Sequence, residues 1–376
     1  MKKICYVLTI PLTVRAFFIP QLKYLAENGF DVTVVCSSDE NLQNELGETV
    51  KFVPLDMPRG ISILGSFKVI SKLKKFFKEE KFDIVQYSTP NAGLYSSFAA
   101  KSAGVKIRNY HLMGFRFLGA SGLGRKILKT LEIIACKNST SIECVSESNL
   151  NLGIQEKVFH KEKALVVGKG STGGVDISRF NIKSRDIWRT EIRKEIGISC
   201  EDFVYGFVGR ITRDKGVNEI LEAYFNLKTD AKLLLVGAME GEDTLDPQLL
   251  DKAKKSDNVI FHESVSDIER YYAAIDVLLL PSYREGFGNV IIEAAAVGTP
   301  AIVSNIPGPV DTVVKDETAL IVEPKCAEQL SVAMADIRTI DYKQMGLNAY
   351  DFIKENFDSN KLNVLILNQK NKYLIH

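Results

Sequence analysis

The chain has 376 residues, of which 45% are hydrophobic and 25% charged; that is a globular composition and too long for one ordinary domain. No apolar run reaches the ~18 residues that cross a bilayer. The net charge is +1 but uneven: residues 1–165 carry 23 Lys+Arg against 15 Asp+Glu, a balance of +8, and the remainder carries 25 against 32, a balance of −7, so the first half is suited to an anionic partner such as a membrane surface, a nucleic acid or a phosphorylated substrate.

The first residues, MKKICYVLTIPLTVRAFF, begin like a signal peptide, but Pro11 and Arg15 break the apolar run and no small-residue cleavage site follows. They are expected to form a first core strand. Further strands are expected at DVTVVCS, VKFVPL, FDIVQYS, VKIRNYH and STSIECVS, with helices at Thr13–Asn28, Leu64–Glu80, Ala92–Ala103 and Gly124–Lys137. Strands alternating with helices of this length imply a parallel sheet with right-handed crossovers, and Gly29 is placed to end the first helix. The six cysteines form no CxxC pair and read as reduced thiols used as small hydrophobes.

GKGSTGGVDISRF, Gly168 to Phe180, is glycine-rich and divides this set from a second one. The second set has strands FVYGFVG, AKLLLVG, NVIFHE, DVLLLPS, PAIVS and ALIVE, with helices at Gly216–Leu227, Pro247–Ser256, Asp267–Ala274, Asn289–Val297, Gly308–Val314 and Ala327–Ile337. The fold class is therefore α/β, with two doubly wound, Rossmann-like parallel-sheet domains: residues 1–165, a hinge at 166–182, and residues 183–357. A helix at about 358–376 is placed to pack back on the first domain. Open sheets of this kind bind ligands at the carboxyl ends of their strands, so the active site is expected in a cleft where the two domains face each other.

Two motifs carry chemistry. In FVGRITRDKGV, residues 207–217, a strand ends at Gly209, Arg210 and Lys215 follow, and Gly216 opens a helix. Two cations beside a helix N-terminus suit an anion, with arginine as a planar fork and lysine as a point charge; the same residues also suit a solvated loop. In SYREGFGNVIIEA, Ser282 to Ala294, Glu285 and Glu293 bracket a glycine-rich turn. Gly286 and Gly288 let backbone approach a ligand, and Asn289 is placed to cap a helix starting near Val290. Glu285 suits sugar hydroxyls, and Glu293, one turn into the helix, suits a cis-diol such as ribose.

The E-x7-E pattern, GRITRDKG, and EAAAVGTPAIVSNIPGPVDTV from Glu293 to Val313, in this order and spacing, resemble the nucleotide-sugar domain of glycosyltransferase family 4, whose members are retaining enzymes of the GT-B fold. GGVDISRF resembles that family's NGVD segment, with Gly173 where asparagine is common. The resemblance covers nearly the whole chain and is strongest from about 165 to 325. It implies that Arg210 and Lys215, after Gly209, hold the donor diphosphate and stabilise the leaving group. It implies that Glu285 and the amides of Gly286, Phe287, Gly288 and Asn289, beside Val290, hold the sugar and distal phosphate. Glu293 would bind ribose, and the loop from Glu263 to Val265 the base. No Asp-x-Asp occurs, so fixed cations would replace a metal, and no cofactor is expected beyond a UDP-sugar donor substrate.

In the first domain many relatives carry a histidine before a glycine; here NYHLMGFRF has Met113 there and His111 two residues earlier. His111 is a candidate catalytic and acceptor-binding residue, although a lone strand-end histidine also packs in cores. Arg15, in TIPLTVRAF, is a candidate for an acceptor phosphate. In FKVISKLKKFFKEEK, Phe67, Ile70, Leu73, Phe76 and Phe77 form one helical stripe and Lys68, Lys72, Lys75 and Lys78 lie off it. Such a helix either packs on the sheet with solvated lysines or rests on anionic lipid, as does GRKILKTLEIIACK. The expectation is a cytoplasmic, metal-independent hexosyltransferase at the inner face of the membrane, using a UDP-sugar and a lipid-linked or oligosaccharide acceptor and no nucleic acid, in capsule, O-antigen or glycan assembly. The alternatives are a UDP-sugar epimerase of the same fold and a non-catalytic sugar-nucleotide-binding protein.

Overall fold

The computed structural model describes residues 1–58, 63–240 and 242–375, without the side chains of residues 63, 64 and 243. The chain forms two compact units, Met1–Gly173 with Asn360–His376, and Gly174–Ser359.

In unit 1 the strands are β1 (Lys2–Val7), β2 (Phe30–Cys36), β3 (Val50–Pro54), β4 (Ile84–Ser88), β5 (Ile107–Leu112), β6 (Ser141–Cys144) and β7 (Ala164–Val166). They form one parallel sheet in the order β3-β2-β1-β4-β5-β6-β7. Most strands are short runs with Val, Ile, Tyr or Cys; β4 is buried along its whole length and β1 from Ile4 to Val7, as a sheet covered on both faces requires. The helices are α1 (Pro11–Phe17), α2 (Ile19–Glu27), α3 (Leu42–Leu46), α4 (Ile63–Glu80), α5 (Pro90–Ala103), α6 (Gly122–Asn138) and α7 (Glu147–Gln155). The single helix expected over Thr13–Asn28 is two. Phe18 leaves helical geometry (φ −121, ψ −25) and Pro20 opens the second, because proline has no N–H to continue the first. On α4, Leu73 and Phe77 are buried as the stripe requires, whereas Phe67 is 69% exposed.

Unit 2 holds β8 (Val204–Val208), β9 (Lys232–Val236), β10 (Val259–His262), β11 (Val277–Leu280), β12 (Ala301–Ser304) and β13 (Ala319–Val322), all parallel in the order β10-β9-β8-β11-β12-β13. Its helices are α8 (Arg185–Glu195), α9 (Val217–Leu227), α10 (Pro247–Lys254), α11 (Ile268–Ala274), α12 (Asn289–Ala296), α13 (Ala327–Asp336) and α14 (Tyr342–Asn356). The helix expected over Gly308–Val314 is only a 3-10 turn, Pro309–Asp311. Gly308 holds φ 99, and a Cβ there would lie 2.8 Å from the carbonyl oxygen of Gly286, so the segment is pressed onto the 282–288 loop in a non-helical form.

The last helix, α15 (Ser359–Tyr373), returns to unit 1. Lys370 donates to both oxygens of Glu143 at 2.7 Å, and the Tyr373 hydroxyl reaches the same carboxylate at 3.0 Å. In both units the strand order reverses beside the first strand, between β1 and β4 and between β8 and β11, which is where loops diverge and leave a crevice at the carboxyl edge.

Candidate functional site

In unit 2 the loops that follow β8 and β11 leave the sheet at that point of reversal. After β8 come Gly209, Arg210 and a 3-10 turn, Arg213–Lys215, before α9. After β11 come Pro281 and Ser282, then Glu285 and the turn into α12. The loops touch. Gly216 holds φ 76, and a Cβ there would stand 2.3 Å from the Pro281 carbonyl oxygen, so only glycine fits both the backbone and the space. Tyr283 N–H donates to the Asp214 carbonyl at 3.0 Å.

This closeness brings the two motifs together. Lys215 Nζ lies 2.6 Å from Glu285 Oε1, which also accepts from Ser282 Oγ at 2.9 Å. Asp214 accepts from the Thr212 hydroxyl at 2.7 Å and from Arg284 at 3.2 Å. Burial pushes the Asp214 carboxyl up, but the Thr212 hydrogen bond and the charges of Arg284, Arg210 and Lys215 outweigh it and hold the group below the usual carboxylate range. Arg210 is half-exposed, with Glu240 as its nearest acid at 3.7 Å. An ammonium has three N–H donors and Glu285 takes one, so the site sets a cation and a carboxylate side by side beside a helix start.

Gly288, at φ 98, is the N-cap of α12, and the helix begins at Asn289. Asn289 is therefore not the cap expected of it; it is the first helical residue. Phe287 turns its ring into the core against Phe357, 5.4 Å between centroids, which leaves its backbone, not its side chain, for a ligand. Glu293 lies on α12 and accepts from the buried Tyr272 hydroxyl at 2.8 Å. Burial raises its carboxyl above the usual range, opposed in part by Tyr272 and Arg179. Glu263 and Val265 follow β10; Glu263 is exposed, Val265 half-buried, and the Glu263 carbonyl lies 3.0 Å from His262 Nδ1.

The two candidates in unit 1 are placed otherwise than expected. Arg15 closes its fork on Asp39 (2.7 and 2.9 Å) and on Glu45 (2.7 and 2.8 Å), and hydrogen bonds from Arg15 hold Asp39 down to about 2. Nearly all its donors are engaged, so it does not stand as a cation for an acceptor phosphate. His111 is 6% exposed, its Nε2 is 3.0 Å from Thr172 Oγ1, and its Nδ1 is 3.8 Å from Glu143, too far for a hydrogen bond. Burial, with the charge of Lys370, lowers its pKa against the pull of Glu143. The lowered pKa favours the neutral ring, which packs in the core beside Thr172 in this arrangement.

Residues 3–146 match the family model described as glycosyl transferase 4-like, and residues 189–352 match glycosyl transferases group 1. A Staphylococcus aureus protein, capsular polysaccharide biosynthesis glycosyltransferase CapM, is 33% identical over 306 residues, 81% of this chain and 79% of that protein. The chain belongs to glycosyltransferase family 4. An Escherichia coli protein named UDP-Gal:alpha-D-GlcNAc-diphosphoundecaprenol alpha-1,3-galactosyltransferase is 30% identical over 317 residues, covering 81% of this family member and 80% of that protein. Among solved structures, Anabaena HepE in complex with UDP superposes with a TM-score of 0.80 at 20% identity, covering 99% of this chain and 100% of that one. WaaG, a glycosyltransferase of lipopolysaccharide biosynthesis, superposes at 0.71 and 17%, covering 99% of each. The fold is GT-B.

Several residues of this glycosyltransferase's site escape sequence reading. Ser282 and Thr212 bind the acids of the two motifs; both lie within those motifs, but nothing in their spacing marks them as partners of the acids. Tyr272, in RYYAAID, had no signal, because its partner Glu293 lies 21 positions away.

Proposed function

We propose that this glycosyltransferase retains configuration while moving a hexose or N-acetylhexosamine from a UDP-sugar to a glycan acceptor carried on undecaprenyl diphosphate, in the assembly of a surface polysaccharide. The observation that carries the reading is the meeting of Lys215 and Glu285, 70 residues apart in sequence and 2.6 Å apart in space, at the carboxyl edge of a Rossmann-like sheet. In this reading the bond between the anomeric carbon and the phosphate oxygen breaks. Positive charge grows on the sugar and negative charge on the diphosphate. Lys215 and Arg210 meet the diphosphate charge as fixed cations, and no metal is required. Glu285 and the amides of Gly286, Phe287, Gly288 and Asn289 orient the sugar, Glu293 held by Tyr272 binds the ribose, and backbone at Glu263 and Val265 takes the base. The acceptor hydroxyl attacks the same face and gives its proton to the departing phosphate oxygen. The name of the E. coli relative, with its UDP-galactose donor and diphosphoundecaprenol acceptor, and that of CapM support the choice of donor, acceptor and process.

No described helix is long and apolar enough to cross a membrane. Unit 1 instead exposes Phe67 (69%) on α4 and Leu123 (73%) and Ile127 (41%) on α6, flanked by the exposed Lys68, Lys72 and Lys126. This suits peripheral contact with anionic lipid at the cytoplasmic face.

The test incubates the protein with UDP- and GDP-sugars in EDTA, records which one raises the melting temperature, and then measures transfer to an undecaprenyl-diphosphate-linked acceptor. A UDP-sugar is expected to stabilise and to be turned over in EDTA. Stabilisation by GDP-sugars alone, or activity lost to EDTA, would overturn the donor or the metal-independent chemistry respectively.

A further inference from the structure

A second concavity in unit 2 lies at the opposite, amino edge of its sheet, where Asp276 precedes β11 and Pro300 precedes β12. It is a cavity of about 360 Å³ lined by Arg185, Arg189, Asp276, Tyr342 and Lys343. None of these is a donor-loop residue. The four residues of β11, about 13 Å at ~3.3 Å per residue, separate it from Ser282 and Glu285.

Helix α8 carries Arg185, Arg189 and Arg193 at four-residue spacing, hence on one face. Arg193 is fully buried and fully engaged. It donates to the carbonyls of Ala274, Ser199, Cys200 and Asp202 and, through Nη2, to Asp276 Oδ2 at 2.8 Å. Arg185 donates to the Val297 carbonyl and the Thr299 hydroxyl. These contacts tie α8 to the sheet and need no ligand. Arg189 is different. Its Nη2 reaches Asp276 Oδ1 at 2.8 Å, while its Nη1 is buried without a partner among the described residues. A buried donor left unsatisfied costs about 1–3 kcal/mol. Lys343, at the cavity rim, is exposed and makes no ion pair among the described residues.

The charges do not balance. The guanidiniums of Arg185 and Arg189 and the ammonium of Lys343 line the cavity with two acids, Asp276 and the exposed Asp186, and Asp276 is shared with the buried Arg193. Burial first, and then the charge of Arg189, push the Arg185 guanidinium down to about 10 against the pull of Asp276 and Asp186, so the neighbouring cation adds to a cost that is mainly desolvation. An ion with several acceptor oxygens in the cavity adds counter-charge beside the partly exposed Arg189 side chain and, with a turn of that guanidinium, accepts from its unpartnered N–H. Arginine forks match phosphate oxygens in geometry, and the cavity is larger than a phosphoryl group alone.

We infer that this pocket binds a phosphate-class anion, either orthophosphate or the phosphoryl group of a small phosphomonoester, through Arg189 and Lys343, at a site separate from the donor loops. The test is thermal melting with orthophosphate against sodium chloride at equal ionic strength. Orthophosphate at about five times its dissociation constant is expected to raise the melting temperature by roughly 2–4 °C beyond chloride. The shift should persist in Lys215→Ala, which disables the donor loops. It should vanish in Arg189→Leu and weaken in Lys343→Ala; the latter alters an exposed side chain without an ion pair and serves if Arg189→Leu does not fold. Glucose 1-phosphate in a parallel arm assigns the source: a larger shift than orthophosphate points to a phosphomonoester, and an equal one to the free ion. No phosphate-specific shift, a shift lost in Lys215→Ala, or one unchanged in both pocket variants would overturn the site.

Discussion

At Lys215 the ammonium and the Glu285 carboxylate are in contact, so each side chain sets the other's position. Truncating the lysine removes a cation from the proposed diphosphate and frees the acid to turn. Lys215→Ala and Arg210→Ala are each expected to reduce turnover by about a hundredfold or more, as removal of a charge-stabilising donor does; steady-state rates with the preferred donor check this, and near-normal rates would remove either residue from the chemistry. Glu132, in unit 1, makes a different prediction. Burial lifts its carboxyl from 4.5 to about 7, and its Oε1 has no partner among the described residues. The folded value lies above the unfolded one, so the fold favours the protonated form. Stability is highest below about pH 4.5 on this account and is lost as pH rises through 7, by up to about 3 kcal/mol from a shift of this size. Glu132→Gln keeps the shape without the charge. Its melting temperature is expected to match the parent near pH 4.5, to exceed it increasingly up to about pH 7 and to hold that lead above it; a constant difference from about pH 4.5 to 9 would count against the buried-carboxyl explanation.

Among the elements, α15 is held to unit 1 by a buried ion pair whose partners both lie deep in the fold. Lys370→Met would leave Glu143 charged, with the Tyr373 hydroxyl but without a counter-ion, which is expected to cost about 3–5 kcal/mol in denaturant unfolding; adding Glu143→Leu should restore much of it, since a paired apolar replacement has no charge to desolvate. If the double variant is as unstable as the single, the cost lies in packing. The same helix illustrates what a sequence exposes and what it hides. Short Val- and Leu-rich runs such as Val277–Leu280 announce buried parallel strands, and the glycines around Lys215 and Glu285 announce tight loops; parallel order alone then carries those loops to one crevice. Partners supplied by distant segments leave no local trace. Arg15 reads as a free cation until Asp39 and Glu45 close on it, and His111 reads as a strand-end candidate until Thr172 covers it. Helix α8 leaves little apolar signal because its charged face outweighs its apolar one, and the break at Phe18 is masked because the helical pattern runs on through Pro20.

On the scale of the whole molecule, the excess of lysine and arginine falls in the first 165 residues, 23 against 15 acids, and the exposed apolar tips of α4 and α6 lie in the same unit. Binding to vesicles containing phosphatidylglycerol is expected at low salt and should weaken as salt rises, with Leu123→Ser lowering the affinity; flotation or sedimentation measures both, and absence of binding at low salt would remove the lipid surface from the proposed partners. The return of α15 has a consequence for synthesis. Glu143 leaves the ribosome 227 residues before the lysine that pairs with it. At roughly 5–20 residues per second that is an interval of roughly 10–45 s. For most of it, once β7 (Ala164–Val166) has been made, all strands of the first unit's sheet are present in the nascent chain while one of its buried carboxylates has no counter-ion. The second unit, made entirely within that interval, is free to finish first, so the order of completion runs against the order of translation.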